Sequence, residues 1–277
     1  MTDTEKTQRI ALLIDADNAP AAKIDEVLTE LSTIGVINVR RAYGNWTKGA
    51  LAGWQDVLLE YAIRPMQQFD YSKRKNATDM AMTVDAMELL YTDRPDAFGI
   101  VSSDADFTPL VMHLRSKGAA VYGFGAAQTP KPFVNACSRF LYLEALGEEA
   151  APAATPIEPD ADGAAAAPAP APTGPAAPGV PARPMTLRVP TPQLRQDARL
   201  MNLLRDAVKA VQGEDGWAKV GAVGTQIANK TPFDARNYGY ATLTKLLAAT
   251  QAFEMRDEGT PRVAVRDKRA AAGAAAA

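Results

Sequence analysis

Short apolar runs alternate with amphipathic stretches through the first half of the chain, which predicts strands alternating with helices. Residues 10–15 form an apolar run of strand length. A helix is expected next, from about Pro20, with apolar side chains at helical spacing: Ile24, Val27, Leu28 and Leu31. Further strands are expected at residues 36–43, 63–69, 97–102, 119–124 and 140–143, with helices at 51–61, 77–91 and 107–118 and a short final helix. This alternation predicts an α/β unit, a parallel sheet with helices on both faces.

The middle of the chain has a different composition. Residues 150–192 are mostly Ala, Pro and Gly and contain almost no large apolar side chains, so they cannot bury enough surface to favour a fixed fold. We therefore expect a disordered linker at 147–194, a disordered tail at 269–277, and folded units at 8–146 and 195–268.

The second unit has the pattern of a winged helix-turn-helix. Its first helix has apolar residues at intervals of three and four: Leu200, Leu203, Leu204, Ala207, Val208 and Val211. Further helices are expected at 220–229 and 235–249, followed by hairpin strands at 253–256 and 262–265. This small fold often binds nucleic acids. Residues 195–277 contain 13 Lys and Arg against 9 Asp and Glu, a net charge of +4 that is compatible with a polyanion.

Composition excludes several kinds of chemistry. The only cysteine, Cys137, cannot form an internal disulfide, and with the only histidine, His113, it cannot supply a zinc site of Cys and His ligands. No G-x-S-x-G motif accompanies His113, so a serine hydrolase is not expected. We find no leader pattern at residues 1–10 and no long apolar run, and we expect a cytoplasmic protein without membrane contact.

Acidic residues follow several strands of the predicted sheet. Strand-end and helix-start positions carry Asp15, Asp17, Asn18, Asp79, Asp104 and Asp106. The carboxyl ends of parallel strands share one rim of the sheet, which is where ligands bind. Clustered carboxylates repel each other unless a cation lies between them, and all-oxygen ligands favour Mg²⁺ or Mn²⁺. The alternative is that Asp17, Asp104 or Asp106 only caps a helix.

Other side chains have supporting or binding roles in this prediction. Ser102 lies on the same rim, and Asp85 is placed as a supporting or surface carboxylate about 120° around its helix from Asp79. A nucleic-acid substrate is expected, because a basic loop precedes Asp79, and the loop after the second strand carries a lysine and an aromatic ring that can stack on an unpaired base. These candidate nucleic-acid contacts are Lys73, Arg74, Lys75, Trp46 and Lys48.

Three strings occur in a fixed order in the first unit: Ile14-Asp15-Ala16-Asp17-Asn18, Asn76-Ala77-Thr78-Asp79 and Ser102-Ser103-Asp104-Ala105-Asp106-Phe107. With residues 118–125 they resemble the NYN domain, and within it the LabA-like group of bacterial proteins, over about residues 8–146. The resemblance implies a PIN-like nuclease fold that cuts RNA with carboxylates and a divalent metal. It assigns catalytic and metal-binding roles to Asp15, Asp79, Asp104 and Asp106, with Asn18 in the opening motif. Ser103 stands where members often have Gly, so it adds a side chain next to the proposed metal.

The second unit also resembles a known family. The strings Asp215-Gly216-Trp217, Tyr238-Gly239-Tyr240 and Phe253-Glu254-Met255 resemble the OST-HTH domain, also called LOTUS, over about residues 196–268. The resemblance implies RNA binding, and a homodimer or protein partner through this domain stays open. Its candidate phosphate contacts are Lys219, Lys230, Arg236 and Lys245.

Together these features predict a metal-dependent endoribonuclease tethered to an RNA-binding winged helix. The linker would raise the local RNA concentration without fixing the geometry. A non-catalytic RNA-binding or regulatory adaptor with the same fold is the main alternative. An aspartyl-phosphate phosphatase would use Asp15, but it would also need a strand-end Lys, and none is evident. Gly123 and Gly125 form only half of a dinucleotide-binding motif.

Overall fold

The computed structural model describes residues 7–69, 77–147, 188–213 and 215–269. The first unit is built on a parallel six-stranded sheet with the strand order β3-β2-β1-β4-β5-β6. Its strands are β1 (Gln8–Asp15), β2 (Gly35–Gly44), β3 (Arg64–Gln67), β4 (Ala97–Val101), β5 (Ala120–Gly125) and β6 (Arg139–Tyr142). The α/β fold with a parallel sheet expected from the sequence is confirmed.

Helices cover both faces of this sheet. They are α1 (Ile24–Ser32), α2 (Gln55–Glu60), α3 (Ala77–Thr92), α4 (Thr108–Ser116) and α5 (Lys131–Ala136). Alternate residues of a strand point to opposite faces, and β1 shows this directly. Ile10, Leu12 and Ile14 pack with α1 and α2, whereas Ala11 and Leu13 pack with α3, α4 and α5. Since both faces are covered, β1 is apolar almost throughout.

The strand order determines where a site can form. The chain runs outward from β1 through β2 and β3, then returns to β4 on the other side of β1 and continues to β5 and β6. The connections that leave β1 and β4 therefore run in opposite directions, and in open α/β sheets this switch point, at the carboxyl ends of the two strands, is where ligands bind. Asp15 is the last residue of β1, and Ser102 directly follows β4.

The second unit contains four helices and a small antiparallel sheet among its described residues. The helices are α6 (Thr191–Gln196), α7 (Ala198–Val211), α8 (Val220–Lys230) and α9 (Leu243–Thr250). The strands are β7 (Ala218–Lys219), β8 (Phe253–Arg256) and β9 (Ala264–Asp267), in the order β7-β9-β8. The predicted hairpin is present, with its second strand starting two residues later than expected.

Two predictions about this unit need correction. The helix expected at 235–249 is interrupted: a short 3-10 turn over Ala235–Tyr238 ends at Gly239 with φ 77°, and Thr242 then caps the start of α9. The linker predicted for 147–194 is too long, because α6 begins at Thr191 and buries Leu194 in the second core. Residues 148–187, which make up most of that linker, and residues 270–277 of the tail lie outside the described residues.

No helix in the described ranges has both the length and the apolar character that crossing a bilayer requires.

Candidate active site

Asp15 is the central side chain of the predicted acidic rim. It is fully buried at the end of β1, where its Oδ2 accepts hydrogen bonds from Asn18 Nδ2 and Ser102 Oγ, each at 2.9 Å. Its other carboxylate oxygen, Oδ1, is buried and has no hydrogen-bond partner among the described residues. Burial raises the pKa of Asp15 above 3.8 despite the two donors. One oxygen is thus held in place, while the other lacks the partner that a buried carboxylate normally has.

Ser102 joins the ends of β1 and β4. Its hydroxyl donates to Asp15 and accepts from the backbone N–H of Asp104 at 3.1 Å. Asp104 Oδ1 accepts from the backbone N–H of Asp106 at 2.8 Å, so Asp104 caps the 3-10 turn that leads into α4. Capping therefore occupies one carboxylate oxygen of Asp104, Oδ1, and a carboxylate has a second oxygen that can bind a cation.

Asp79 brings a negative charge from a different part of the chain. It lies half-buried in the first turn of α3. Burial, followed by the repulsion of neighbouring acidic charges, raises its pKa from 3.8 to about 6. The charges that act on it belong to Asp15, Asp104, Asp106 and Asp17. The structure therefore brings the predicted rim carboxylates within electrostatic range of one another.

Asp17 connects the β1 loop to α3. Its Oδ2 accepts a hydrogen bond of 2.8 Å from Thr78 Oγ1, and Lys48 Nζ lies 3.7 Å from its Oδ1. Thr78 is buried and directly precedes Asp79. This bond fixes the start of α3 against the β1 loop, a role that the sequence did not reveal because Thr at a helix start usually signals only a cap.

The donor set fits a hard divalent cation. The rim offers carboxylate oxygens and the Asn18 amide, and the unpartnered Asp15 Oδ1 is the atom for which a cation would be the natural partner. Within the described ranges, no three Asp, Glu, Cys or His side chains are grouped closely enough to hold an ion as they stand. The donor atoms are of the kind that Mg²⁺ or Mn²⁺ prefers. To enclose such an ion, the side chains would have to move closer together.

Asp85 does not belong to this rim. It pairs with Arg41 and accepts a hydrogen bond from the buried Tyr43 hydroxyl, both on β2. The prediction of a supporting or surface role is therefore corrected, because Asp85 is buried and ties the middle of α3 to the sheet. Its position around α3 from Asp79 directs it to the sheet and not to the loops.

The structure describes only some of the aromatic and basic side chains near the rim that were predicted to contact nucleic acid. Trp46 is half-buried and packs edge-on against Trp54, with ring centroids 6.3 Å apart. Its Nε1 is buried and has no hydrogen-bond partner within the part of the chain that the structure describes. A ring in this position has less surface for stacking on a base than the sequence suggested. The basic loop of Lys73, Arg74 and Lys75 lies outside the described residues.

The candidates of the second unit also differ from one another. Lys219 and Lys245 are exposed, and Lys230 forms an exposed ion pair with Asp206 at 3.2 Å. Arg236 is engaged elsewhere, because it makes a two-pronged ion pair with Glu30 of α1 at 2.5 and 2.9 Å. Its predicted role as a phosphate contact is therefore corrected.

The structure also shows packing or hydrogen-bond roles for Ser103 and two glycines, which the sequence did not reveal. The Ser103 hydroxyl accepts from the backbone N–H of Ala126 at 2.9 Å, so it joins the loops after β4 and β5. A Cβ on Gly123 would lie 2.6 Å from Cys137 Sγ, and one on Gly125 would lie 2.7 Å from the Ser102 carbonyl oxygen. These glycines permit close packing, which accounts for them without a dinucleotide.

Comparison with known proteins identifies both units. A family model of the NYN domain matches residues 9–144, and a model of the OST-HTH/LOTUS domain matches residues 195–265. Neither match assigns the chain to the LabA-like branch. An uncharacterized protein of Methanocaldococcus jannaschii is 33% identical over 122 residues, which are 43% of this chain and 48% of that protein. The chain thus spans about half the length of this relative.

A solved structure with limited similarity comes from Vibrio parahaemolyticus and is described as a protein of unknown function. It is 19% identical, covers 50% of this chain and 94% of its own, and superposes with a TM-score of 0.40.

Proposed function

We propose, from the premise that this chain carries an NYN domain followed by an OST-HTH/LOTUS domain, that it is a metal-dependent endoribonuclease with its own RNA-binding domain. NYN is a nuclease-type domain, and OST-HTH/LOTUS domains bind RNA. NYN and PIN-like nucleases generally use divalent metals. The finer proposals are the identity of the metal, Mg²⁺ or Mn²⁺, a single-stranded substrate, membership of the LabA-like branch and a cytoplasmic location.

The observation that carries the proposal is the buried Asp15 oxygen for which the described ranges offer no hydrogen-bond partner. Asn18 and Ser102 hold Oδ2, which fixes the buried Oδ1 at the carboxyl ends of β1 and β4. Asp15, Asp79 and Asp104 would hold the metal, with Asp106 and Asn18 completing or orienting the shell. When bound, Mg²⁺ or Mn²⁺ would activate water and neutralise charge on the phosphodiester.

The protonation state of Asp79 suits such a site at neutral pH. A carboxyl group with a pKa of about 6 is mostly ionised at pH 7 and becomes protonated as the pH falls below that value. Lys48, next to Asp17, adds a positive charge beside the rim that could contact a substrate phosphate. Lys73, Arg74 and Lys75 lie shortly before α3 in the sequence and remain proposed phosphate contacts.

The second domain is proposed to bind the same RNA. Lys219, Lys230 and Lys245 remain its candidate contacts, since all three are exposed. A homodimer or a protein partner through this domain remains a proposal from the resemblance alone.

Cleavage of labelled single-stranded RNA tests the proposal. We expect the wild type to cut RNA with Mn²⁺ and to stop when the metal is chelated, and we expect the Asp15→Asn, Asp79→Asn double variant to lose this activity. Asp56→Asn is the matched control, because Asp56 is an exposed first-turn aspartate on α2. Cleavage that persists unchanged in the double variant would count decisively against the proposal, and parallel DNA substrates would show whether RNA is preferred.

The second candidate is a non-catalytic RNA-binding adaptor. It is favoured by one observation, that no three potential ligands in the described ranges are arranged to hold an ion as they stand. An adaptor would bind RNA equally well with and without Mn²⁺ and would leave it intact. The same cleavage assay, with a binding measurement beside it, therefore separates the two candidates.

A further inference from the structure

Four charged side chains form a closed ring between the two domains. Arg236 of the second domain pairs with Glu30 of α1, and Arg139 of β6 pairs with Asp234 of the second domain at 2.6 Å. Each arginine also contacts the acid of its own domain, Arg139 with Glu30 at 3.3 Å and Arg236 with Asp234 at 3.1 Å. Both acids therefore contact both arginines, and two of the four pairs cross from one domain to the other.

The ring is desolvated enough for these pairs to matter. The side chains of Glu30 and Asp234 are only 10% and 7% exposed. Burial alone would raise the pKa of Asp234, but the hydrogen bond from Arg236 and the charges of Arg139 and Arg236 outweigh it and hold the pKa below 3.8. Buried charges that lose their partners are strongly destabilising. Separation of the domains would remove two of the four pairs.

A second contact lies beside the ring, at the open edge of the sheet. Asn237 Nδ2 donates to the carbonyl oxygen of Phe140 at 3.0 Å, and Asn237 Oδ1 accepts from the backbone N–H of Tyr142 at 3.2 Å. Both groups belong to β6, the edge strand, where an added strand would otherwise bond. The amide of Asn237 thus copies the pairing of a neighbouring strand, which is a directional contact and not a general attraction of charges.

We propose that the second domain is docked at a fixed orientation on the β6 edge of the first, so that the two domains act as one unit and not as modules joined only by a tether. Its partner surface is the edge strand together with Glu30. The docked domain lies beyond β6, which is itself two strands away from β4, about 10 Å at ~4.8 Å per strand. The sequence had predicted a tether that leaves the geometry free, and these long-range contacts oppose that prediction.

A distance distribution between two labels on the full chain tests the docking. Glu88→Cys on α3 and Ala222→Cys on α8 place one spin label on an exposed position of each domain. The native Cys137 is 1% exposed, so it should not react with the label. If only residues 148–187 joined the domains, a flexible chain of that length would spread its ends over roughly 35 Å.

We expect one narrow distance peak in the labelled wild type. Asn237→Ala combined with Arg236→Ala should broaden it, on the order of twofold or more, towards the spread of a tether. Glu30→Ala should also broaden it, and this variant leaves the second domain untouched in case the first variant disturbs its folding. Asn229→Ala combined with Lys230→Ala on α8 is the matched control and should leave the peak unchanged.

Two results would overturn the proposal. A broad distribution in the wild type would mean that the domains are only tethered. A narrow peak that persists both in Asn237→Ala combined with Arg236→Ala and in Glu30→Ala would mean that these contacts do not hold the domains together. Neither result depends on RNA cleavage or metal binding, so the docking and the proposed function fail separately.

Discussion

Asp79→Asn should stabilise the metal-free protein at neutral pH, although it removes a proposed metal ligand. The substitution keeps the size of the side chain and removes its charge. At pH 7 the ionised Asp79 is half-buried and experiences the charges of the other rim carboxylates, which the unfolded chain would not impose. A side chain whose charge opposes folding should be better tolerated when that charge is absent.

The magnitude follows from the pKa. The difference between about 6 in the folded protein and 3.8 for an ordinary aspartate would correspond to about 3 kcal/mol at 1.36 kcal/mol per pH unit. Asp79 is only half-buried, and solvent screening reduces this figure to about 1 kcal/mol. The variant also loses a favourable carboxylate–helix interaction of about 0.5 kcal/mol, which lowers the net gain further.

The pH dependence gives the prediction its sign. A carboxyl group with a raised folded pKa binds protons more tightly in the folded state, so acidification from about pH 6 to about pH 4 stabilises the wild type relative to the variant. The advantage of Asp79→Asn should therefore be full at pH 7 and absent near pH 4. Urea unfolding in the presence of a chelator at both pH values measures it.

Asp56→Asn controls for the loss of a first-turn carboxylate, and we expect it to be neutral or slightly destabilising at both pH values. The reasoning is refuted if Asp79→Asn is less stable than the wild type at pH 7 without metal. It is also refuted if the difference between them does not shrink on acidification. Addition of Mn²⁺ should reverse the order at pH 7, because a ligand stabilises the form that binds it.

Three further substitutions test other parts of the account. Ser102→Ala removes the hydroxyl that bonds both Asp15 and Asp104. It should lower the free energy of unfolding in urea by about 1–3 kcal/mol and weaken Mn²⁺ binding. Mn²⁺ affinity equal to that of the wild type would show that Ser102 does not position Asp15. Gly125→Ala places a Cβ 2.7 Å from the Ser102 carbonyl oxygen and should lower the melting temperature, and an unchanged value would contradict the close packing. Asp85→Asn should destabilise the folded protein by about 1–3 kcal/mol and leave the Mn²⁺ affinity unchanged, because Asp85 pairs with Arg41 away from the rim. A loss of Mn²⁺ binding in this variant would show that Asp85 belongs to the metal site.

The fold of the first domain could be predicted because its signals are local. β1 is apolar along its length, and α1 follows with apolar residues at helical spacing, so each element is visible in its own segment. The convergence of the acidic residues followed from the topology, since parallel strands place their carboxyl ends together. The charges of Asp15 and Asp104 acting on Asp79 agree with that prediction.

What the sequence did not predict depends on contacts between distant residues. Arg236 is the kind of cationic side chain that contacts phosphate, yet it pairs with Glu30, which is 206 positions away in the sequence. Asp85 carries the same charge as Asp79, and only its position around α3 separates the structural role from the rim. The break before α9 depends on the positive φ of Gly239, which a helical pattern of apolar residues conceals.

Calorimetric titration of Mn²⁺ into the full-length protein at pH 7 tests the central claim most directly, because it asks whether the converging carboxylates bind a cation. We predict one site in the wild type, loss of binding in Asp15→Asn and unchanged binding in Asp56→Asn. The account is contradicted if the wild type binds no Mn²⁺, or if Asp15→Asn binds it with wild-type affinity.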